Sequence, residues 1–368
     1  MATVEKRGTG WSVRYRERDA YGNLGKQVRK SGFATKADAM AAVKYLEEAS
    51  TAGIDINGDR MTCGEIMERW FLTKPGQIED TTLSKYSYYM DKLKDHVIYN
   101  TPVRQLSRGN LADVINDLQS DSISLRTARD YTEPLRMALS WAAGEGLIAR
   151  NPLAGARLPK IQKRQQVILS DDDVEDLVAE CKNRNPAFLI PLYLALYGGL
   201  CREEAAALTW DKVDFAHASI RIQSALAMTH TGTVVQKDTK TVNRSRTVTL
   251  PKFVMTTLES TQHTSDRVCV SRTGEPYSLT SYAQAVRRLA EFVNRRRDEE
   301  GKELMPVPGY HDLRHTHAAM CIALGIQPKV ISERLGHSSI KITMDLYGYL
   351  MPGLQAQVAE AFDQKRAQ

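Results

Sequence analysis

The sequence predicts a chain of several domains that is mainly α-helical and carries small β-sheets. The 368 residues are too many for one small core, and the 42% that are hydrophobic can fill more than one. Apolar and polar residues alternate near the N-terminus, whereas most later segments repeat apolar residues at helical spacing. We therefore expect a three-stranded sheet plus a helix in residues 1–55, a helical domain in 60–155, and a mixed α/β domain in 165–368.

Residues 9–31 have the two-residue period of a β-hairpin. Trp11, Val13 and Tyr15 fall on one side, polar residues fall on the other, and a turn at 19–23 leads to a second alternating run. A helix capped by Thr35 follows at 35–49. The first 44 residues hold ten lysines and arginines against four acids. A cationic sheet face suits a phosphate backbone, although a hydrated hairpin surface has the same composition. The candidate DNA-binding residues here are Arg14, Arg16, Arg18, Lys26 and Arg29.

A polar linker at 50–60 precedes a run of helical segments. Thr62 and Glu65 form a capping box, and further helices are expected at 81–95, 107–119 and 124–144. Their polar faces are basic, and Lys85 and Arg126 are candidate DNA contacts, although a helical bundle without a ligand would look similar. The basic stretch 154–168 reads as an interdomain linker.

The last domain mixes helices with short strands. Ser170 caps its first helix, and an apolar helix at 187–196 ends at Gly198-Gly199. Strands are expected near 219–226 and 246–250, and a helix at 280–297. A weakly amphipathic segment at 352–366 is expected to dock on its own domain or on a neighbouring protomer.

Composition narrows the classes of protein that the chain can belong to. The net charge is +6 with a pI near 8.9, a basic excess concentrated at the N-terminus. The five cysteines are far apart and have no metal-ligand spacing, which favours a reducing cytoplasm. We see no secretory leader, no run of about 20 apolar residues, no Walker motif and no acidic metal cluster. We therefore expect a soluble cytoplasmic protein that needs no metal or nucleotide cofactor and does not associate with a membrane.

The stretch from Gly309 to Tyr347 concentrates residues that carry chemistry. His311 and Arg314 are three positions apart, so on a helix both leave from one face and can share one anion. His337 follows a Leu-Gly helix stop, and Tyr347 lies ten residues beyond it. A tyrosine can attack a DNA phosphodiester if its phenol, with a reference pKa of about 10, receives local help.

The order H-x-x-R, L-G-H, Y resembles the active-site signature of the tyrosine recombinases, the phage integrase family, and the resemblance covers most of 165–350. It implies that Tyr347 is the nucleophile, Arg314 a phosphate clamp, His311 the acid/base partner and His337 a donor to the phosphate. Tyr349 is the rival nucleophile, but it lies two places after Tyr347, where family members often carry a histidine, so the resemblance favours Tyr347. The resemblance also implies an arm-site-binding domain at 1–55, a core-binding domain at 60–155 and a catalytic domain at 165–368.

Two further catalytic positions are implied by the resemblance. Lys240 fits the family lysine that protonates the leaving group from a β-hairpin, with Lys237 as the alternative. The first family arginine normally follows Gly-Leu directly, but here Cys201 occupies that place and Arg202 lies one residue later. A shift of one residue on a helix is about 100° of rotation. Arg202 therefore takes the clamp role only if the backbone absorbs the shift.

These resemblances imply a site-specific recombinase of a phage or transposon that acts through 3′-phosphotyrosyl intermediates. Its expected partners are double-stranded DNA with core and arm sites, three further copies of itself on that DNA, a host DNA-bending protein and an excision factor. We expect it at the nucleoid of a bacterial host. The alternatives are a DNA-binding regulator of the same fold that has lost catalysis, motivated by Cys201, and a relaxase resembling type IB topoisomerases.

Overall fold

A computed structural model describes residues 3–8, 10–18, 24–51, 60–120, 123–161, 166–229, 234–238, 245–350 and 366. Within these ranges it describes the backbone but not the side chains of 17, 18, 24–26, 45–51, 235, 237, 238, 347, 349 and 350. The chain divides into two compact units, one formed mainly by residues 1–163 and the other mainly by residues 164–368. The expected fold class is confirmed: the chain is mostly helical with small antiparallel sheets.

The N-terminal segment is a three-stranded antiparallel sheet with one helix. Its elements are β1 (Thr3–Arg7), β2 (Gly10–Arg18), β3 (Leu24–Phe33) and α1 (Lys36–Thr51), with strand order β1-β2-β3. Val13 and Tyr15 are buried with Ala39 of α1, as the alternation predicts. Thr35 caps α1, because its hydroxyl accepts from the Asp38 backbone N–H at 3.1 Å.

A helical segment with its own core completes the first unit. Its helices are α2 (Cys63–Leu72), α3 (Asp80–Leu93), α4 (Asn110–Ser120), α5 (Leu125–Tyr131) and α6 (Glu133–Gly144). Thr62 and Glu65 form the expected capping box. The core is built around Ile66, Trp70, Leu93 and Leu139, each at most 1% exposed.

The expectation of one helix over 124–144 is wrong. The chain forms α5 and α6 instead, separated at Thr132. Pro134 lies in the first turn of α6, where its missing N–H costs nothing, whereas inside a continuous helix it would clash with the preceding turn. The Thr132 hydroxyl donates to the Arg129 carbonyl at 2.8 Å and satisfies the end of α5.

The second unit contains eight α-helices, two short 3-10 helices and five strands among the described residues. The helices are α7 (Asp171–Arg184), α8 (Leu189–Gly198), α9 (Arg202–Ala207), α10 (Lys252–Glu259), α11 (Leu279–Glu299), α12 (Tyr310–Ala323), α13 (Pro328–Leu335) and α14 (Ile340–Leu350), with the short 3-10 helices at 186–188 and 210–212 also present. The strands are β4 (Val213–Asp214), β5 (Ser219–Ile222), β6 (Ser224–Met228), β7 (Val234–Asp238) and β8 (Arg246–Thr249). They form an antiparallel sheet in the order β4-β5-β8 and the two-stranded pair β6-β7.

The core of the second unit fixes where the signature helix α12 begins. Tyr310, the first residue of α12, is buried, and its hydroxyl donates to the Pro191 carbonyl of α8 at 2.6 Å. Asp312 accepts from the Gly309 backbone N–H at 2.8 Å and caps the helix. These contacts hold the start of α12 against α8, and the first two turns of α12 carry His311 and Arg314. No helix in the described ranges is long and apolar enough to cross a membrane.

Candidate active site

Arg314 is a buried guanidinium at the centre of the candidate site. The residue is 8% exposed. Its Nη1 donates to the Gly199 carbonyl at 2.9 Å and to Glu204 Oε2 at 3.3 Å, and its Nη2 donates to the Leu335 carbonyl. Among the described residues, Nε–H and one Nη2–H have no hydrogen-bond acceptor. Two such donors can hold two oxygens of one phosphate.

Arg314 lies next to two further buried charges, the carboxylate of Glu204 and the guanidinium of Arg246. Arg246 Nη1 and Nη2 donate to the two oxygens of Glu204 at 2.6 and 2.9 Å, a bidentate pair. Burial raises the pKa of Glu204, but the hydrogen bond and charge of Arg246, and then the charge of Arg314, bring its pKa below the usual value. The carboxylate is therefore ionised and compensates both arginines.

Cys201 lies beside this cluster, and Arg202 lies at its edge. Cys201 is the N-cap of α9, and its backbone N–H donates to Glu204 Oε2 at 3.1 Å. Burial, followed by the charges of Glu204 and Glu203, raises the pKa of the Cys201 thiol, which is neutral as a result. The Arg202 side chain is 42% exposed, and its Nε donates to Glu203 Oε1 at 2.7 Å. Its charge is close enough to His311 to help lower the pKa of that ring.

His311 and His315 form a pair on the first turns of α12. Their ring centroids are 4.7 Å apart in an edge-to-face arrangement. His311 is exposed, but partial desolvation and then the charge of Arg314 lower its pKa. Burial, and then the charge of His311, lower the pKa of His315. Both imidazoles are therefore biased toward the neutral form, which can accept a proton.

His337 links the site to the helix that carries the candidate nucleophile. Its Nδ1 lies 2.9 Å from the Thr343 hydroxyl of α14. Burial, and then the charge of Arg314, lower the pKa of His337 to about 4. Position 347 follows Thr343 by one turn and lies on the same face of α14. Tyr347 and its rival Tyr349 are both in α14, but their side chains lie outside the described part of the structure.

Lys240, the candidate proton donor to the leaving group, lies outside the described residues. The backbone of its alternative, Lys237, lies in β7, which pairs with β6 in the register Ala225 to Lys237. The strand before Lys240 therefore belongs to the two-stranded pair β6-β7, and β8 begins after residues 239–244, which lie outside the described part of the structure.

Three of the N-terminal candidates, Arg14, Arg16 and Arg29, are on the sheet face opposite α1. Arg14 lies directly across from Arg29, and Glu5 Oε2 lies 3.0 Å from Arg14 Nη2 and 3.6 Å from Arg29 Nη2. Arg16 is exposed, and the side chains of Arg18 and Lys26 lie outside the described part.

The candidate DNA-binding residues of the helical segment, Lys85 and Arg126, are on α3 and α5. Lys85 Nζ lies 5.1 Å from the Tyr89 ring centroid and 3.6 Å from Glu133 Oε2. Arg126 is exposed on α5. Both side chains are placed on the surface, and Lys85 is partly neutralised by its acidic neighbour.

Sequence reasoning missed three residues that organise the site: Glu204 as an acceptor, Arg246 and Thr343. The separation of 42 positions between Glu204 and Arg246 hides their pairing in the sequence. Thr343 is fully buried in α14, but its position in the sequence gives no sign of the contact with His337. Among the described residues no cluster of three or more His, Cys, Asp or Glu side chains has the geometry of a metal site.

Known proteins resemble this chain in sequence and in fold. Residues 168–350 match the phage integrase family. A "tyrosine recombinase XerC-like" protein of Caldanaerobacter subterraneus subsp. tengcongensis is 22% identical over 365 residues, covering 92% of each chain. The structure of a Tn1549 transposon integrase in complex with circular intermediate DNA superposes with a TM-score of 0.72 at 17% identity, covering 82% of this chain and 99% of that one. A lambda integrase tetramer bound to a Holliday junction gives a TM-score of 0.58 at 17% identity, with 93% and 94% covered.

Proposed function

The chain belongs to the phage integrase family of tyrosine recombinases, enzymes that cleave and rejoin DNA, and we propose that Tyr347 is the residue through which it does so. The observation that carries this proposal is the cluster around Arg314. The charge of the Arg314 guanidinium is compensated by Glu204, and the guanidinium keeps two free donors. His337 is hydrogen-bonded to Thr343, which lies one turn before position 347 on α14. This arrangement provides a phosphate clamp next to the helix that carries the tyrosine.

The proposed reaction needs no outside source of energy. The Tyr347 oxygen attacks the phosphorus, the bond from phosphorus to the 5′ oxygen breaks, and a 3′-phosphotyrosyl bond forms. The departing 5′ oxygen takes a proton, for which Lys240 is the proposed donor. Arg314 and His337 donate to the non-bridging oxygens as charge develops there, and His311 accepts the tyrosine proton. A DNA 5′ hydroxyl reverses these steps and restores the phosphodiester.

Arg202 is the proposed second clamp. It begins α9, and its charge already reaches His311. Its exposed bond to Glu203 can be exchanged for a phosphate, because surface ion pairs contribute little to stability.

The presence of Cys201 next to Glu204 favours one alternative, a DNA-binding regulator in which the clamp is incomplete. Loss of one such donor typically costs a few kcal/mol of transition-state stabilisation. In that case the remaining residues would bind a phosphate but would cleave the DNA only slowly.

A covalent trap tests the proposal. The substrate is a core-site duplex taken from the ends of the mobile element that carries the gene, with a nick shortly downstream of the cleavage position. After attack, the short fragment that carries the free 5′ hydroxyl diffuses away, so the adduct accumulates. We expect an adduct from the unmodified protein, none from Tyr347→Phe at nearly unchanged DNA affinity, and at least a tenfold loss from Arg202→Ala. An adduct that persists in Tyr347→Phe would move the role to Tyr349. An adduct unaffected by Arg202→Ala but much increased by Cys201→Arg would favour the weakened site.

The proposed substrate is double-stranded DNA with core and arm sites. The relatives include a transposon integrase bound to DNA and a lambda integrase tetramer on a Holliday junction. By analogy we propose four protomers on two duplexes, acting in integration and excision of a phage or transposon. A host DNA-bending protein and an excision factor are further proposed partners, and the site of action is the bacterial nucleoid.

A further inference from the structure

The helix α13 is a short element that ends immediately before the active-site histidine. It has eight residues and stops at Gly336, which is in the left-handed conformation, next to His337. Its buried apolar side chains, Ile331 and Leu335, enter a small cluster with Ala318, Ile322 and Leu346. The opposite face is exposed, as at Val330. The apolar packing of α13 therefore depends on two side chains, Ile331 and Leu335.

Arg334 adds a polar attachment to three neighbouring elements. Its Nε donates to His317 Nε2 of α12 at 3.0 Å. Its Nη2 donates to the Tyr197 carbonyl of α8 at 2.7 Å and to the Thr249 carbonyl of β8 at 3.1 Å. One guanidinium thus links α13 by hydrogen bonds to the helices α12 and α8 and to the strand β8.

His317 can serve as the acceptor only in one protonation state. It is 5% exposed, and its Nδ1 lies 2.8 Å from the Leu196 carbonyl, which fixes the proton on Nδ1 and the lone pair on Nε2. The charged and titratable groups around it are Arg334, Arg314 and the Cys321 thiol, whose sulphur lies 3.6 Å from Nε2. Burial, and then the charge of Arg334, lower the pKa of His317 to about 4.

The backbone carbonyls at the end of α13 also accept hydrogen bonds from Arg246 and Arg314 of the site. Arg246 Nε donates to the Arg334 carbonyl at 2.7 Å, and Arg314 Nη2 donates to the Leu335 carbonyl. A Cβ added at Gly336 would lie 2.9 Å from Arg246 Nη1, so the backbone approaches that guanidinium closely. A displacement of α13 therefore moves the acceptors that aim both guanidinium groups.

We propose that Arg334 and neutral His317 are positioning residues, a clamp that fixes the end of α13 and through it the direction of Arg314 and the place of His337. In this proposal both side chains act through α13 and neither contacts the DNA. The inference rests on the proposed function for its effect on cleavage, whereas its effect on α13 itself does not depend on that function.

Three single variants, and the double variant of Arg334→Met with His317→Leu, test the Arg334–His317 clamp in the full chain. Arg334→Met keeps the apolar stem and removes every donor. His317→Leu removes the acceptor, and His317→Gln restores one amide oxygen for Arg334 and one N–H for Leu196. Glu333→Gln, on the exposed face of the same helix, is the matched control. The measurements are the single-turnover rate of covalent attachment to nicked core-site DNA, the affinity for that DNA, and amide hydrogen exchange of residues 328–346 without DNA.

We expect Arg334→Met and His317→Leu each to slow attachment at least tenfold with affinity within threefold, and the double variant to be no slower than Arg334→Met alone. His317→Gln should recover most of the rate, and Glu333→Gln should match the unmodified protein. Exchange in α13 should accelerate in the two damaging variants but not in His317→Gln.

Two results would overturn the clamp: unchanged exchange in Arg334→Met, or rate losses that multiply in the double variant. If the unmodified protein forms no adduct at all, the proposed function fails, and the exchange measurement still decides whether the clamp exists.

Discussion

Glu204 is the residue that allows two arginines to lie side by side in the site. Its side chain is 13% exposed and those of Arg246 and Arg314 are 8% and 10% exposed, so water screens the three charges only weakly. Removing one partner of a buried ion pair leaves an uncompensated charge, which typically costs about 3–5 kcal/mol. The carboxylate is therefore needed for stability as well as for the direction of both guanidinium groups.

We expect Glu204→Gln to lower the free energy of unfolding by on the order of 3 kcal/mol at pH 7, because two buried cations then share a neutral amide. The neighbouring Glu203→Gln is the control, since its pair with Arg202 is on the surface and should contribute less than about 1 kcal/mol. Urea titration followed by circular dichroism measures both. Equal losses in the two variants would show that Glu204 does not carry a buried charge.

His317 makes stability depend on pH in a defined direction. Its folded-state pKa is about 4, below the ordinary value of 6.5. The unfolded chain therefore binds more protons than the folded chain between these values, and the free energy of unfolding falls as the pH falls from 6.5 toward 4, by on the order of 3 kcal/mol. The stabilisation is fully present above pH 6.5.

The check compares urea unfolding of the unmodified protein and His317→Gln at several pH values across this window. The variant should have the flatter curve, because its amide does not titrate. Parallel curves would mean that another group, such as His337, accounts for the loss in acid.

At the scale of elements, α14 matters because it joins His337 to position 347. We expect Thr343→Val, which keeps the shape of a fully buried side chain, to slow covalent attachment about tenfold with little change in DNA affinity. The ring of His337 then loses the hydroxyl that orients it. Thr343→Ser keeps the hydroxyl and should retain most of the rate, and the exposed Ile342→Val should have no effect. A slow Thr343→Ser would point to packing rather than to the hydrogen bond.

Elements with strong local signals were predictable from the sequence. Thr35, Thr62 and Ser170 cap helices as expected, because a capping side chain and its partner lie within three residues. The break between α5 and α6 was missed because the apolar period continues through Thr132, and Pro134 was not given its weight as a helix start. Local periodicity thus predicts where helices form better than where they divide.

The site was predictable only where its residues share one helix. His311 and Arg314 are three positions apart on α12, and their common face follows from helix geometry. The partners of Arg314 come from 21 to 115 positions away in the chain. Such contacts depend on tertiary packing, so neither Arg246 nor the pair of Arg334 with His317 was identified from spacing.

At the scale of the whole molecule, charge is concentrated in separate places. The N-terminal sheet offers Arg14, Arg16 and Arg29 on one face, where Glu5 compensates Arg14 and Arg29. Arg16 is exposed, and no ion pair between its guanidinium and an acid is found among the described residues. The arginine cluster of the second unit instead is buried around Glu204. We therefore expect the two regions to make different contributions to DNA binding.

The last prediction separates these contributions. Arg16→Gln should reduce affinity for arm-site DNA and lower the slope of log affinity against log salt by about one, because one fewer phosphate is neutralised. The triple change Arg14→Gln, Arg16→Gln and Arg18→Gln should lower the slope further while covalent attachment to isolated core-site DNA stays unchanged. Lys302→Gln, an exposed lysine of the second unit, is the control for loss of charge alone. If arm binding and core cleavage instead fall together in the triple variant, the N-terminal sheet takes part in holding the core site, and the two kinds of DNA site are not read by separate parts of the chain.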